Sequence, residues 1–344
     1  MLNSQFTRRD FLKVASAGSL AFALSELRLE RAFAAPAAIK QGRITLSGIP
    51  LYDGPAFTAN KIHYFGRDEV VDITSIDENG EQGNPFNGVW YQVNNEGFTY
   101  SGWVQPVETR YQMPIFDIPE KGQVGEIVVP FSDTKKEPYV YAERGYRLFY
   151  GTTHWVKRYV VTRAEKSIWY EIYDFHLKKI FYVPAHDMRL IPNAELSTLS
   201  PEVPDEEKHI VVDLSAQLVT AFEGEILVFS QRCASGVRGT DTPKGEFRTY
   251  HKGPSVHMTN EGDAVENEAV YSLPGVPWCS FFTGAGNAFH GTYWHNDYGR
   301  PRSHGCVNLP SEAAKFLYRW TKPNVPPDED YIHMPGEGTR VQIF

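Results

Sequence analysis

The chain has few cysteines, no long run of like charge and no long apolar segment. Three cysteines among 344 residues allow at most one disulfide and leave at least one thiol free, which excludes a disulfide-stabilised scaffold. The formal net charge of −8 gives no general attraction to phosphate backbones, so we expect no nucleic-acid partner. Apolar stretches are too short and too interrupted to predict a stable membrane span.

The N-terminus has the residue order of a secretory signal. Arg8 and Arg9 precede Phe11, a weakly apolar stretch covers 14–24, and Ala32 and Ala34 form a small-residue cleavage site. The arginine pair resembles a twin-arginine export signal, which predicts a signal over 1–34 and a location in the cell envelope, periplasm or cell wall. An amphipathic helix, or an uncut signal acting as a weak anchor, are the alternatives. A free thiol in an exported protein meets oxidants, so a chain that keeps one is expected to use it.

Residues 44–195 are predicted to form two β-rich modules. In 44–110, short β-prone runs alternate with turn residues, and the strand around Trp90 followed by Gly102-Trp103-Val104 resembles a bacterial SH3-like domain. In 111–195, the strand around Trp169 occupies the place of Trp90, which suggests a duplication. Aromatic residues in such modules are expected in the core, so no site is assigned there. Residues 196–208 are polar and are predicted to be a linker.

From residue 209 the pattern changes to longer alternating strands. Runs within 210–214, 218–222 and 226–230 predict an antiparallel meander. Ser311 is predicted to cap one short helix that ends before Pro323. Residues 251–278 lack a clear period and are predicted to be an irregular insertion. The predicted fold class is mainly β, with two small SH3-like β-barrel modules followed by a β-rich catalytic domain containing a short helix.

Two short motifs carry the chemistry, His290-Gly291-Thr292 and Ser303-His304-Gly305-Cys306. A thiol acts as a nucleophile only as thiolate, and a nearby imidazole can take its proton. Glycine before the cysteine lets backbone approach a substrate, and adjacent N–H groups can stabilise an oxyanion. No Asp is obviously placed to orient the base, so the carbonyl of Gly291 is the candidate orienter.

These motifs, with Thr242-Pro243-Lys244-Gly245 upstream, resemble the YkuD-type L,D-transpeptidase catalytic domain over 209–344. The resemblance implies that a cysteine attacks the carbonyl of the third residue of a peptidoglycan stem and releases the terminal D-Ala. The acyl group is then transferred to an acceptor amine. The resemblance also implies that no cofactor is needed and that carbapenems inhibit the enzyme. Carried over, Cys306 is the nucleophile and His290 the acid/base. The carbonyl of Gly291 orients the base, and His304, Gly305 and Cys306 frame the oxyanion hole. Ser303 and Asn308 shape the turn at the substrate site. Tyr271 and Trp278 are either stem-peptide contacts or core residues.

Several alternatives remain open at this point. Many family members have Arg where this chain has Asn308, although others have Asn, which leaves a carboxylate clamp there in doubt. His304 is a second candidate base, and zinc held by His290, His295, His304 and Cys306 is the metal alternative. Cys233 and Cys279 are expected to be inert or paired with each other. The competing functions are an L,D-carboxypeptidase, which uses water as acceptor, and a non-catalytic wall-binding protein.

Overall fold

The computed structural model describes residues 40–163, 166–260 and 271–344. The predicted signal over 1–34 lies outside the described residues. Within them the chain forms four β-sheets and one α-helix, α1 (Ser311–Trp320). No helix in this part of the chain is long and apolar enough to cross a bilayer. The prediction of a mainly β chain with a short helix is confirmed.

The first sheet contains seven strands and spans the first predicted module. Its strand order is β3-β2-β6-β5-β4-β1-β7. The large aromatic residues Tyr52, Trp90 and Tyr100 are buried together, as expected for a module this small. The strands are β1 (Gln41–Ile44), β2 (Ile49–Tyr52), β3 (Lys61–Phe65), β4 (Val70–Asp77), β5 (Trp90–Val93), β6 (Gly97–Tyr100) and β7 (Val104–Val107).

The second sheet has the same topology as the first. Its order, β10-β9-β13-β12-β11-β8-β14, repeats that of the first sheet strand for strand. Trp169 lies in the fifth strand of this sheet, as Trp90 does in the first, so the order of strands supports a duplication. Whether either sheet is an SH3-like barrel stays a prediction. The strands are β8 (Gln123–Ile127), β9 (Phe131–Lys135), β10 (Arg144–Phe149), β11 (Thr153–Thr162), β12 (Ser167–Asp174), β13 (Lys179–Pro184) and β14 (Met188–Leu190).

Each module has a short 3-10 turn before its last strand. Ser101–Trp103 forms this turn in the first module and Ala185–Asp187 in the second. The predicted strand Gly102-Trp103-Val104 was therefore wrong for its first two residues. The pattern of aromatic and glycine residues suited a strand, but the chain has to turn here to bring β7 back beside β1.

The remaining two sheets, of five strands each, form the C-terminal domain. Their orders are β17-β16-β15-β24-β18 and β22-β21-β20-β19-β23. The predicted meander is present as β15, β16 and β17, which pair in antiparallel fashion. The strands are β15 (Lys208–Asp213), β16 (Leu218–Glu223), β17 (Ile226–Arg232), β18 (Gly245–Arg248), β19 (His251–Thr259), β20 (Ser272–Phe281), β21 (Ala288–Gly291), β22 (Val307–Leu309), β23 (Ile332–His333) and β24 (Arg340–Ile343).

The prediction of an irregular insertion over 251–278 was wrong for its described parts, residues 251–260 and 271–278. This stretch supplies β19 and most of β20, which pair in antiparallel fashion from His251 opposite Phe281 to Thr259 opposite Ser272. Pro254 and Pro277 interrupt the sequence alternation that would have revealed the strands. A register shift between Val256 and Met258 breaks the period further.

The predicted cap of α1 was also wrong. The residue before the helix is Pro310, which supplies no side-chain cap, and Ser311 is the first helical residue. The Ser311 hydroxyl is buried without a hydrogen-bond partner among the described residues. The helix ends before Pro323 as predicted, and its apolar face joins the core through Leu317 and Trp320.

Residues 196–208 pack onto the C-terminal domain instead of spanning open solvent. Leu196 belongs to the same apolar cluster as Trp278 and Trp320. The amine of Lys208 is buried and donates to the carbonyls of Leu199 and Ser200. Val124 and Trp155 of the second sheet belong to this cluster as well, so the second module shares a core with the C-terminal domain.

Arg43 joins both modules and the C-terminal domain. Its buried guanidinium donates to Asp68 Oδ1 at 2.6 Å, to Gln105 Oε1 at 3.0 and 2.8 Å, and to the carbonyl of Tyr293 at 2.5 Å. Its planar face lies 4.2 Å from the ring centroid of Phe149. Burial lowers the pKa of Arg43 to about 10, although Asp68 opposes the shift, so the side chain remains charged at neutral pH.

We expect Arg43→Met to lower the free energy of unfolding by about 3–5 kcal/mol, because it leaves buried acceptors without a donor. Equilibrium denaturation measures the change. Arg67→Met is the matched control, since Arg67 is exposed and lies 3.9 Å from the same Asp68. It should alter stability by less than about 1 kcal/mol. Equal losses in the two variants would contradict the joining role of Arg43.

Candidate active site

The strand register brings His290 and Cys306 to one side of a sheet. Strands β21 and β22 pair in parallel, with His290 opposite Asn308. Cys306 precedes Asn308 by two residues, immediately before β22 begins. Continuing the side-chain alternation of β22 back by two residues puts Cys306 on the same side as Asn308 and His290. The arrangement lies at the edge of the sheet, since β22 is its outermost strand.

His290 is buried and is oriented by its own neighbour. Its Nδ1 lies 3.0 Å from the carbonyl oxygen of Gly291. A carbonyl only accepts, so Nδ1 carries the proton and Nε2 keeps a lone pair. Burial lowers the pKa of His290 to about 4, although the Gly291 hydrogen bond opposes the shift. The ring is therefore neutral at neutral pH and can accept a proton at Nε2.

Cys306 is the most accessible of the three cysteines. Its Sγ lies 3.8 Å from the carbonyl oxygen of Gly286. Burial raises the pKa of the Cys306 thiol to about 11, and a hydrogen bond from the Ala288 backbone opposes the shift. With neutral His290 on the same side of the sheet, the resting groups are a thiol and an imidazole, so the proton has to leave sulfur as the nucleophile attacks.

Ser303 fixes the turn that carries Cys306. Its hydroxyl donates to the carbonyl of Cys306 at 2.6 Å and accepts from the N–H of Gly305 at 3.1 Å. Gly305 has φ +109°, and a Cβ there would lie 2.4 Å from Asn287 Nδ2, so the position requires glycine. Ser303 is 6% exposed, and its hydroxyl is engaged within the turn that it was expected to shape. A direct contact of Ser303 with substrate stays a prediction.

The predicted oxyanion donors divide into two groups. The N–H of Gly305 donates to the Ser303 hydroxyl and is not free to bind an oxyanion in this structure, so the role of Gly305 in framing the oxyanion hole stays a prediction. The N–H groups of His304 and Cys306 have no acceptor within the described ranges. These two groups remain candidates for stabilising an oxyanion near Cys306.

Two threonines in and next to the upstream Thr-Pro-Lys-Gly motif hydrogen-bond to the nucleophile turn, which is the turn of residues 303–306 that carries Cys306. Thr240 Oγ1 donates to the carbonyl of Ser303 at 3.3 Å, and Thr242 Oγ1 donates to the carbonyl of Cys306 at 3.5 Å. Thr242 Oγ1 also accepts from the N–H of Gly236 at 2.9 Å. These contacts give a physical reason for finding the two motifs together in one sequence.

Two of the predicted substrate contacts are buried. Asn308 is 1% exposed, and its side-chain amide lies 3.0 Å from His295 Nε2. Trp278 is also 1% exposed, and its ring packs 5.4 Å from that of Tyr318. Neither side chain offers an exposed surface in this structure, and a substrate contact by either residue stays a prediction. The core alternative for Trp278 is the one that fits.

His304 and Tyr271 lie together beside the nucleophile turn. The His304 side chain is exposed, and its ring centroid lies 5.3 Å from that of partly buried Tyr271. The turn directs this ring outward, whereas His290 lies on the same side of the sheet as Cys306. Tyr271 therefore remains a candidate substrate contact, and His290 is the better candidate base.

The other two cysteines and the metal alternative gain no support. Cys233 and Cys279 are both buried free thiols, which excludes their pairing with each other. Burial raises the pKa of Cys233 to about 12 and, together with the nearby Cys306 charge, raises that of Cys279 well above its usual value. Among the residues that the structure describes, no group of three or more His, Cys, Asp or Glu is arranged to hold a metal ion.

Sequence reasoning missed Asp297, a 0% exposed carboxylate in the loop between His290 and Cys306. It accepts hydrogen bonds from Asn84 and Tyr100 of the first module and from Arg300 and Arg302 beside it. The pattern Asp297-Tyr298-Gly299-Arg300 gave a weak local signal of an ion pair, but nothing in it pointed to partners about two hundred residues upstream.

Comparison with known proteins agrees with this geometry. The family model described as the L,D-transpeptidase catalytic domain, YkuD, matches residues 207–343. That range contains both five-stranded sheets, α1, His290 and Cys306. No curated protein sequence matches the chain.

Several of the similar solved structures are L,D-transpeptidases. A cysteine-to-serine mutant of the Enterococcus faecium enzyme is 23% identical, with 40% of this chain and 50% of that chain covered and a TM-score of 0.32. The catalytic domain of the E. faecium enzyme is 25% identical, with 40% and 98% covered and a TM-score of 0.31. L,D-transpeptidase 3 of Mycobacterium tuberculosis is 17% identical, with 48% and 75% covered and a TM-score of 0.33. The chain spans half the length of the first of these structures.

The fold and the site define a β-rich domain that presents a cysteine and a neutral histidine at one sheet edge. Residues 207–343 are an L,D-transpeptidase catalytic domain of the YkuD family.

Proposed function

We propose that the chain is an exported peptidoglycan L,D-transpeptidase, a cysteine acyltransferase. Its donor substrate is a stem peptide that ends in D-Ala, and its acceptor is the amine of a second stem. The observation that supports the proposal is the parallel register of His290 opposite Asn308, two residues after Cys306, within the matched catalytic domain.

In the acylation step, Cys306 Sγ attacks the carbonyl carbon that precedes the terminal D-Ala. Its proton passes to Nε2 of His290, while Gly291 holds Nδ1–H. The N–H groups of His304 and Cys306 stabilise the oxyanion. The C–N bond then breaks, the proton on His290 passes to the leaving amine, and a thioester with Cys306 remains.

In the transfer step, an acceptor amine attacks the thioester carbonyl carbon. His290 Nε2 takes a proton from that amine and returns it to the departing sulfur, which regenerates the thiol. A new peptide bond replaces the one that was broken. The balance needs no metal or cofactor, because a thiol, an imidazole and backbone dipoles supply every step.

Incubation with a purified tetrapeptide stem tests the proposal. We expect an acyl-enzyme in the intact-protein mass spectrum, followed by cross-linked dimer whose yield rises with added acceptor amine. Only the shortened tripeptide, even in excess acceptor, would identify an L,D-carboxypeptidase instead. No adduct and no product would favour a non-catalytic wall-binding protein.

Export is tested separately. Arg8→Lys combined with Arg9→Lys is expected to leave the precursor inside the cell, because the twin-arginine route requires the arginine pair. Cell fractionation followed by immunoblotting measures the distribution. Replacing Arg28 and Arg31 with Lys instead is the matched control and should leave export unchanged. Equal export of all three forms would remove the twin-arginine assignment while leaving the catalytic proposal untouched.

A further inference from the structure

The loop between the base and the nucleophile, residues 292–303, is held by the first module. The N–H of Asn296 donates to the carbonyl of Gly102 at 3.2 Å. The side-chain amide of Asn84 donates to the carbonyl of Tyr298 at 3.1 Å. These contacts tie one segment of the catalytic domain to a separate sheet nearly two hundred residues upstream.

Asp297 lies at the centre of this contact and is fully buried. Its Oδ1 accepts from Asn84 Nδ2 at 2.8 Å and from Tyr100 Oη at 2.9 Å. Its Oδ2 accepts from Arg302 Nη2 at 2.7 Å and from Arg300 Nε at 2.5 Å. Burial alone would raise the pKa of Asp297, but the charges of Arg302 and Arg300 outweigh it and lower the pKa. The carboxylate is therefore ionised and fully engaged.

One route leads from Asp297 to the nucleophile. The Arg302 guanidinium donates to Asp297 Oδ2. The backbone N–H groups of Arg302 and Ser303 both donate to the carbonyl of Ser235. The Ser303 hydroxyl then fixes the carbonyl of Cys306 at 2.6 Å. A displacement of Asp297 would therefore be transmitted to the turn that aims the thiol.

A second route leads from Asp297 to the base. Its backbone N–H donates to His295 Nδ1 at 3.2 Å, and His295 Nε2 lies 3.0 Å from the amide of Asn308. Asn308 is opposite His290 in the parallel pair of strands. Asp297 thus connects to the nucleophile turn through its carboxylate and, through its backbone N–H, to the strand that pairs with the strand of His290.

We propose that Asp297 is a positioning residue through which Tyr100 and Asn84 of the first module set the geometry of Cys306 relative to His290. The first module is thereby part of the acyl-transfer apparatus, which rests on the function proposed above. The second module does not reproduce the contact. At the position before its 3-10 turn it has Pro184, where the first module has Tyr100.

The first experiment compares Tyr100→Phe with Tyr52→Phe. Tyr52 lies in the same aromatic cluster, but its hydroxyl makes no hydrogen bond to residues 292–303. Removal of the Tyr100 hydroxyl takes one donor from a buried carboxylate, so we expect Cys306 acylation by a carbapenem to slow about three- to tenfold. Tyr52→Phe should keep the parent rate. A lower melting temperature with an unchanged acylation rate in Tyr100→Phe would overturn the proposal.

The pH profile of Cys306 alkylation by iodoacetamide gives a readout that does not depend on the proposed reaction. The buried Cys233 and Cys279 are accounted for with a Cys306→Ala blank. We expect Tyr100→Phe to shift this profile and Tyr52→Phe to leave it at the parent position. If the wild type is alkylated but never acylated, the proposed function fails while this comparison still decides the positioning role.

A double-mutant cycle between Tyr100→Phe and Arg302→Lys completes the test. The two side chains do not contact each other but share Asp297. Their effects on the rate of alkylation should therefore be non-additive by about threefold or more. Additive effects in two folded variants would show that Asp297 does not connect the first module to the nucleophile turn.

Discussion

Replacing Cys306 with alanine is expected to abolish formation of a covalent adduct with a carbapenem, a complete loss detected by intact-protein mass spectrometry. Cys306 is the only cysteine of the three that is not buried, so no other thiol can replace it. A retained adduct in Cys306→Ala would refute the nucleophile assignment.

Matched variants separate the nucleophile from its surroundings. Cys279→Ala should keep the adduct and lose only some stability, because it removes a buried sulfur. His290→Gln should keep the thiol but slow acylation about 10²- to 10⁴-fold, which is the usual contribution of a general base. His304→Gln should be close to the parent, since its exposed ring lies against Tyr271. A larger loss in His304→Gln than in His290→Gln would reverse the assignment of the base.

The second large effect is a loss of stability in mild acid. His154, His290 and His295 are all buried. Burial lowers their pKa values to about 3, about 4 and about 3 respectively. The unfolded chain takes up protons at each of these rings near pH 6.5, whereas the folded chain does not. Stability is therefore fully present above that pH and falls as the pH drops towards 4.

Three rings together bind up to three more protons in the unfolded state. The free energy of unfolding should then fall by about 5 kcal/mol between pH 7 and pH 5. Urea denaturation at the two pH values measures the loss. His154→Gln should reduce that loss by about a third, because one of the three rings is gone. His63→Gln, a change at an exposed ring in the first module, should leave it unchanged, and an equal reduction in both variants would contradict the mechanism.

The sequence predicted the structure correctly where local residue patterns determine the conformation of an element. The meander β15 to β17 and the end of α1 before Pro323 follow from period and turn residues. The hairpin of β19 and β20 does not, because Pro254 and Pro277 hide its alternation. The parallel pairing of β15 with β24 joins residues about 130 apart, and no local pattern specifies such a partner.

The candidate site also combines residues that local motifs indicate with residues whose contacts are distant in sequence. Cys306 and His290 could be proposed from the sequence because the chemistry requires those residue types in short glycine-containing motifs. The burial of Asn308 and Trp278 and the engaged N–H of Gly305 could not be read from these motifs, since burial and hydrogen bonding depend on how the chain packs around them. Asp297 was missed for the same reason, because its partners Asn84 and Tyr100 lie in another sheet.

The shared strand order of the two modules bears on how the chain avoids misfolding. Two neighbouring sheets with the same topology are prone to exchange strands during folding. The fifth strands are the most alike, with Trp90-Tyr91-Gln92-Val93 in one and Trp169-Tyr170-Glu171-Ile172 in the other. Their partners differ, since β6 is a four-residue strand and β13 has six residues ending in Pro184. The divergence of these partner strands favours correct pairing within each copy.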